Sequence, residues 1–401
     1  MTNGPPLTAE PFEPTRAAAL DRLAVVNLDQ YARARNFLDG PVTRLSPYVT
    51  HGFLTLPEVL RAVHARRPLG VRDKFVYELA WREYFRHVWH CEGEGIFESL
   101  HAGPLPDHAY ARVVPADVCE ARTGVPVVDT AVCQLYDTGW LHNHARMWIA
   151  SYMVHLRRVH WRVGADWLYG HLLDGDLSSN HLSWQWVAGT ASAKPYLFNA
   201  ANVAKYAPPA WHSFGTAVDA SYEALDVVAH GGAVPVDPPR SQGRVCRPLV
   251  LGAPPADLGF TAPDPALVRG RAVRLVHPWS LGAPPSELPA DALTIAVVAA
   301  DDHRRWPWSE RRWRFVGARM AALTPHRWCA DAAKLRAGLD GAASIHGVAD
   351  PHLSTAFRDF PLAAASGLFR NPEQRCDSFS QFWVRVTEGV TSIDALLRDA
   401  R

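Results

Sequence analysis

Lysine is scarce in this chain. Only Lys74, Lys194, Lys205 and Lys334 occur among 41 basic residues, so arginine carries nearly all the positive charge. Arginine suits bidentate phosphate contacts, although codon bias produces the same composition. Net charge is also small: 41 basic against 40 acidic residues leave +1. That excludes a whole-molecule electrostatic footprint for nucleic acid, so such a partner must be argued from local patches. The six cysteines (Cys91, Cys119, Cys133, Cys246, Cys329 and Cys376) are scattered with no close pair at metal-ligand spacing. Neither a zinc site nor a disulfide framework is indicated, and no metal is expected. No apolar run reaches membrane-spanning length, and the N-terminus lacks a secretory apolar segment. A soluble, cytoplasmic monomer is the expectation.

What is present is apolar and aromatic. At 401 residues and 48% hydrophobic content the chain is long enough for two cores. Fifteen tryptophans are many for this size. They serve as core, as stacking surfaces for a ligand, or as carriers of electrons.

Four prolines in residues 1–14 predict a loose lead-in, followed by one helix over residues 15–35. The run Val42–Pro47 has the form of a helix start, with Ser46 as cap and Pro47 as the first helical residue. Its hydroxyls, free N–H groups and Arg44 make an anion site. Thr55 to Glu58 spells a capping box opening a helix that stops before Pro68. Residues 73–90 predict a long helix with Phe75, Leu79, Phe85, Val88 and Trp89 as its buried stripe. On it Glu78, Trp81, Arg82 and Phe85 recur at three- and four-residue steps. A Glu78–Arg82 ion pair at i,i+4 is the plain structural reading of that pattern. Further helices are expected over 123–139, 140–159 and 165–173.

The most informative stretch is Trp140–Met147 followed by Leu173–Trp186. Asn143, Arg146 and Met147 can face one cavity from a single helical turn. The second run brings Asp174, Asp176, Asn180, Trp184 and Trp186 close together in sequence. Polar groups this dense among tryptophans need partners, either one another or a planar heteroaromatic ligand with donors and acceptors along one edge.

Strand signals are nearly absent before residue 228. Glycine and proline over 230–246 have linker composition. Beyond it, the apolar runs at 247–252, 272–277, 293–300, 326–329 and 343–348 alternate with helices at 309–323 and 332–339. They predict a small open α/β, Rossmann-like sheet, largely parallel. No G-x-G-x-x-G or P-loop occurs in this half. The expected organisation is a mainly α domain over 1–229, a linker over 230–246 and a smaller α/β domain over 247–401.

Five runs in the helical half resemble the FAD-binding domain of the DNA photolyase and cryptochrome family: Thr43–Tyr48, Glu78–His87, Thr123–Asp129, Gly139–Met147 and Asp174–Trp186. The likeness spans about residues 28–206 and follows the family's order. It implies that Tyr31, Thr43, Arg44, Leu45 and Ser46 line the FAD phosphates. Arg146, Asp174 and Asp176 would stand at the polar edge of the flavin, Arg82 would also bind the cofactor, Asn180 would face its N5, and Asn143 would lie where ring and lesion meet. Glu78, Trp81, Asn143, Met147 and Trp186 would contact a flipped cyclobutane pyrimidine dimer. Relatives that repair (6-4) photoproducts place histidine where this chain has Asn143 and Met147, which favours the cyclobutane lesion.

Two features depart from the family. The family's usual N-terminal antenna domain is not expected before the helical half, while Ser309–Phe315 in the second half faintly resembles that domain, which would put the two domains in swapped order; an antenna chromophore is not assigned. The tryptophan chain that photoreduces the flavin is partial: Trp184 and Trp161 match its first two members, and the outer position falls near His108 and Tyr110. The implied activity is light-driven splitting of cyclobutane pyrimidine dimers in UV-damaged DNA. Excited reduced anionic FAD would supply the electron, with Glu78, Asn143, Trp161 and Trp184 as the catalytic set and Arg157 and Arg158 available to DNA phosphates. The alternatives are a cryptochrome-like blue-light photoreceptor without repair activity, and a two-domain binding protein whose aromatics are only core.

Overall fold

A computed structural model describes residues 12–233, 245–285, 287–353, 357 and 360–400. The expected lead-in and most of the expected linker fall on residues 1–11 and 234–244, outside the described residues.

The first half is helical throughout, and its local signals act where the sequence places them. Thr55 caps the helix Leu56–Arg66 through a complete capping box with Glu58. The long helix α1 spans Lys74–Glu92. Pro126–Thr138 stops at Gly139, whose φ of 68° suits a residue without a side chain. Three helices complete the site: α2 (Asn143–Ser151), α3 (Trp161–His171) and α4 (Leu177–Ala188). Asp176 caps α4, its side chain accepting from the Ser179 N–H. Helices α3 and α4 press together because residue 164 is glycine. A Cβ there would come within 2.2 Å of the Trp184 ring.

Three local expectations are corrected. The single helix over 15–35 is two, Arg16–Ala24 and Leu28–Ala34, with Asn27 capping the second. The start at Ser46 is a five-residue helix, Ser46–Thr50, without a side-chain cap bond; Leu45 holds the cap position. Helix α3 begins at Trp161, four residues before the expected Ala165, because His160 caps it by accepting from the Arg162 N–H.

The second half contains a four-stranded parallel sheet of β1 (Ala272–Val276), β2 (Leu293–Ala299), β3 (Arg327–Ala330) and β4 (Ser344–His346). Its order is β3-β2-β1-β4, so the strand order reverses between β1 and β4. Val250–Leu251, expected in this sheet, instead pairs antiparallel with Trp308–Ser309. Helix α5 (Glu310–Leu323) carries the expected Ser309 cap. Helix α6 (Phe379–Val386) and a final helix, Ile393–Asp399, extend beyond anything read from the sequence.

The largest core runs through both halves. Tyr48 and Phe53 of the helical half meet Phe315 of α5 at ring centroids of 5.9 and 5.4 Å. Burying a large apolar side chain of this kind contributes about 1.5–3 kcal/mol. A second core, with Trp148, Trp161 and Trp184, lies wholly in the helical half. No helix among the described residues is long and apolar enough to cross a membrane.

Candidate functional site

Helices α1, α2, α3 and α4 enclose a cavity of about 170 Å³. One wall is apolar, made by Phe85, Leu168, Leu172, Trp184 and Val187. The polar part of the lining, its rim, carries Asn143, Arg146, Asp174, Asp176, Ser179 and Asn180. The three residues placed on one turn of α2 do face it together: Asn143, Arg146 and Met147 all line the cavity. Asn143 stands at the solvent side, its Nδ2 donating to Met147 Sδ at 3.4 Å.

The rim is charged and strongly constrained. Arg146 Nη2 donates to Asp174 Oδ2 at 2.7 Å, and its Nε donates to the Leu141 carbonyl at 2.9 Å. Asp174 Oδ1 is buried without a hydrogen-bond partner. A buried carboxylate oxygen of this kind needs a donor. Asp176 Oδ1 accepts from Ser178 Oγ, Ser179 N and Ser179 Oγ at 2.7, 3.0 and 2.9 Å. Its Oδ2 lies 3.4 Å from both Arg82 Nη2 and Arg86 Nη2. Burial alone would raise the pKa of Asp176, but the Arg82 and Arg86 guanidinium groups outweigh it and hold the carboxyl well below the usual range. Asn180 donates to the Ala165 carbonyl at 2.9 Å.

A flavin ring fits this donor set. The orphaned Asp174 Oδ1 would accept from an N–H on the pyrimidine-like edge of such a ring, and Arg146 would face its acceptors. The ring's apolar face suits the Trp184, Leu168 and Val187 wall. The residues that would hold it are therefore Arg146, Asp174, Asp176 and Asn180.

Other expected site residues lie elsewhere. Tyr31, Thr43, Arg44, Leu45 and Ser46 do not line the cavity. Ser46 Oγ accepts from Trp140 Nε1 at 3.2 Å, and Thr50, at the end of the same short helix, donates to the Asp174 carbonyl at 3.3 Å. Arg44 lies over the rings of Phe12 and Trp140, each 4.9 Å away. Arg82 serves the rim from behind, donating to Thr50 Oγ at 3.2 Å as well as to Asp176.

The i,i+4 pair between Glu78 and Arg82 is not formed. Glu78 instead meets Arg35 at 3.2 Å and Lys74 at 3.0 Å, because Asp176 takes Arg82. Trp81 stacks on Phe379 of α6, with centroids 4.0 Å apart and planes at 11°. Trp186, 42% exposed, turns away from the cavity toward Tyr196. Trp161 is buried, does not line the cavity, and donates to Ser99 Oγ at 2.9 Å. His108 is exposed, while Tyr110 reaches Trp161 only through His160, at successive centroid distances of 6.2 and 5.7 Å. Arg157 is tied to Asp117 at 2.8 and 3.0 Å, and Arg158 donates to the Gly232 carbonyl, so both are already partnered within the chain.

Sequence reasoning missed Phe85 as a cavity wall, Ser179 and Ser183 as its rim, and Arg86 as the second cation on Asp176. The signal for Arg86 was its i,i+4 spacing from Arg82 on one face of α1.

Comparison with known proteins places this architecture. Residues 75–210 match the model of the FAD-binding domain of DNA photolyase. A deoxyribodipyrimidine photo-lyase from Synechococcus is 34% identical over 215 residues, covering 49% of this chain and 43% of the relative. A cryptochrome DASH from Idiomarina loihiensis is 31% identical over 199 residues, covering 46% of this chain and 44% of the relative. The solved class III photolyase of Agrobacterium tumefaciens aligns with a TM-score of 0.42 at 29% identity, over 48% of this chain and 42% of that one. The chain thus spans less than half the length of the curated relatives it matches. Residues 75–210, within the helical half, are therefore similar to the FAD-binding domain of DNA photolyase, and the relatives matched include both a photo-lyase and a cryptochrome.

Proposed function

We propose that the chain repairs cyclobutane pyrimidine dimers in UV-damaged DNA under light. The observation that carries this reading is the cavity itself. Asn143, exposed to solvent, and Met147 line it together with the Arg146–Asp174 pair and Trp184. A lesion flipped out of the duplex would enter from that solvent side, since a damaged pair is easier to extrude than a sound one. FAD, bound and reduced, supplies the photoexcited electron that opens the cyclobutane ring. The chain supplies the rest. Arg146 and Asp174 fix the orientation of the ring edge, and Arg146 sets a positive field there. The apolar wall excludes water. Asn143 presents an amide to both ring and lesion. Trp184 and Trp161, both buried in the same apolar core, are the proposed redox-active pair.

Glu78 is one-third exposed on α1, sharing its carboxylate between Arg35 and Lys74. Its proposed role is to accept from the pyrimidine edge. Glu78→Ala is expected to lower the light-dependent repair rate by about tenfold, the worth of one charged hydrogen bond, with flavin content unchanged. Reduced protein illuminated with a thymine-dimer oligonucleotide, followed by dimer quantification, reads this directly. Dimer loss as fast as in the parent would remove Glu78 from the reaction.

One observation favours the alternative of a photoreceptor without repair. Trp81, the residue expected to clamp the lesion, has a face covered by Phe379. The same assay decides between them, because a photoreceptor leaves the dimer intact under blue or near-UV light.

A further inference from the structure

In an open parallel sheet, the carboxyl ends of the strands leave a crevice where the strand order reverses, and ligands bind there. In this chain that place lies between β1 and β4. His277, directly after β1, is 2.7 Å through its Nε2 from the Val348 carbonyl, just after β4. The chain then delivers Asp350 and His352. What they meet is a side chain of the helical half, Arg86 of α1.

Arg86 bridges two carboxylates. Its Nη1 donates to Asp350 Oδ2 at 3.0 Å, and its Nη2 lies 3.4 Å from Asp176 Oδ2 on the cavity rim. His352 closes the loop. Its Nε2 accepts the Leu177 N–H at 3.1 Å, at the first residue of α4, so the proton sits on Nδ1 and is donated to Asp350 Oδ1 at 2.6 Å. The imidazole is fixed between Trp279, stacked at 4.6 Å and 11°, and Trp89, edge-on at 4.9 Å and 83°. The side chains of Asp350 and Asp176 are 6% and 1% exposed. Arg82, Arg86, Asp176 and Asp350 therefore form a closed, neutral set of two cations and two anions, and only Asp176 of the four lines the cavity.

We propose that Asp350, held by His352, is a positioning residue for the flavin edge: the α/β half completes the site by sharing Arg86 with Asp176. This rests on the reading that the cavity holds FAD. Without the Asp350 charge, Arg86 has Asp176 alone, and a buried positive charge is left uncompensated behind the rim. Asp176 is then drawn from its cap on α4, and the field at the cavity becomes more positive.

The test uses the 401-residue chain as wild type, Asp350→Asn, Arg86→Gln and the double variant, each reconstituted with FAD. Asp350→Asn is expected to weaken FAD binding by about tenfold. It should also move the flavin midpoint potential upward, because added positive charge favours the reduced anion. Arg86→Gln on that background should return the potential toward wild type, a reversal that loss of packing alone would not give. In thermal unfolding of the FAD-free chains, Asp350→Asn and Arg86→Gln should be non-additive. Should Asp350→Asn fail to fold, His352→Phe keeps both ring contacts and removes both hydrogen bonds. It is expected to weaken FAD binding in the same direction. A wild type that binds FAD, with Asp350→Asn unchanged in affinity and potential, or His352→Phe unchanged in affinity, overturns the proposal alone. A wild type that binds no FAD overturns both the proposal and the reading beneath it.

Discussion

Asp174→Ala is expected to purify without colour and to unfold more readily than the parent chain. Asp174 is nearly fully buried, and Arg146 is its cationic partner at 2.7 Å. Removing the carboxylate strands a guanidinium that keeps only its bond to the Leu141 carbonyl. Breaking a buried pair in this way destabilises by about 3–5 kcal/mol. The lower end applies here, because the Arg146 side chain is 24% exposed and water can reach it. The substitution also deletes Oδ1, the one orphaned acceptor on the rim. Stability and flavin uptake should therefore fall together. Asp174→Asn, which keeps the acceptor and loses the charge, should fall between. Urea unfolding of the FAD-free protein separates the two effects, and an Asp174→Ala chain that takes up FAD as tightly as the parent would exclude Asp174 from the site.

The second large effect is acid unfolding. His51, His142, His155, His171 and His303 are buried, and burial is the first cause holding each below its ordinary pKa of 6.5. His51, His171 and His303 lie at about 3, and His142 and His155 at about 4; the Arg312 guanidinium adds to the effect at His51 and His303. These rings are neutral in the folded chain and take up protons when it unfolds. Their stabilisation is complete above 6.5 and is lost as pH falls from 6.5 toward 4 and 3. Each contributes a slope of about 1.4 kcal/mol per pH unit, so five give about 7.

Glu83 works in the opposite sense. Burial, only partly offset by the Leu368 and Phe369 N–H groups, raises it to about 7, so it favours the fold as pH falls from 7 to 4.5. One carboxylate against five imidazoles leaves the histidines dominant. Net stabilities of folded chains are about 5–15 kcal/mol. The unfolding midpoint in urea should therefore collapse between about pH 6.5 and pH 5. A midpoint that stays level across that interval would show these histidines to be accessible or protonated in the folded chain.

Much of the site was legible because its chemistry is local. Asn143, Arg146 and Met147 share one turn, and Asp174, Asp176 and Asn180 follow one another around a helix cap, so periodicity alone brings them to one cavity. What was illegible depends on distant sequence. Asp350 reaches Arg86 across 264 positions, and nothing beside either residue announces the other.

Trp81 shows how a correct helix can still leave the face undecided. Spacing puts Trp81 with Glu78, Arg82 and Phe85, but Tyr77, Trp81 and Tyr84 form an equally regular stripe. That stripe packs on Phe379. Helix α6 had its own signal in Ser378, whose side chain accepts from the Gln381 N–H three residues on. The strand expected near residue 250 failed for a different reason. Short apolar runs say nothing about their partner, and Val250–Leu251 found Trp308–Ser309 rather than the parallel sheet.

Titration of the purified, flavin-free chain with FAD tests the central claim most directly, followed by visible absorbance and by flavin fluorescence. The expected result is saturation at one FAD per chain, with the fluorescence quenched against the Trp184 wall. A chain that stays colourless while all added FAD is recovered free in solution would contradict it.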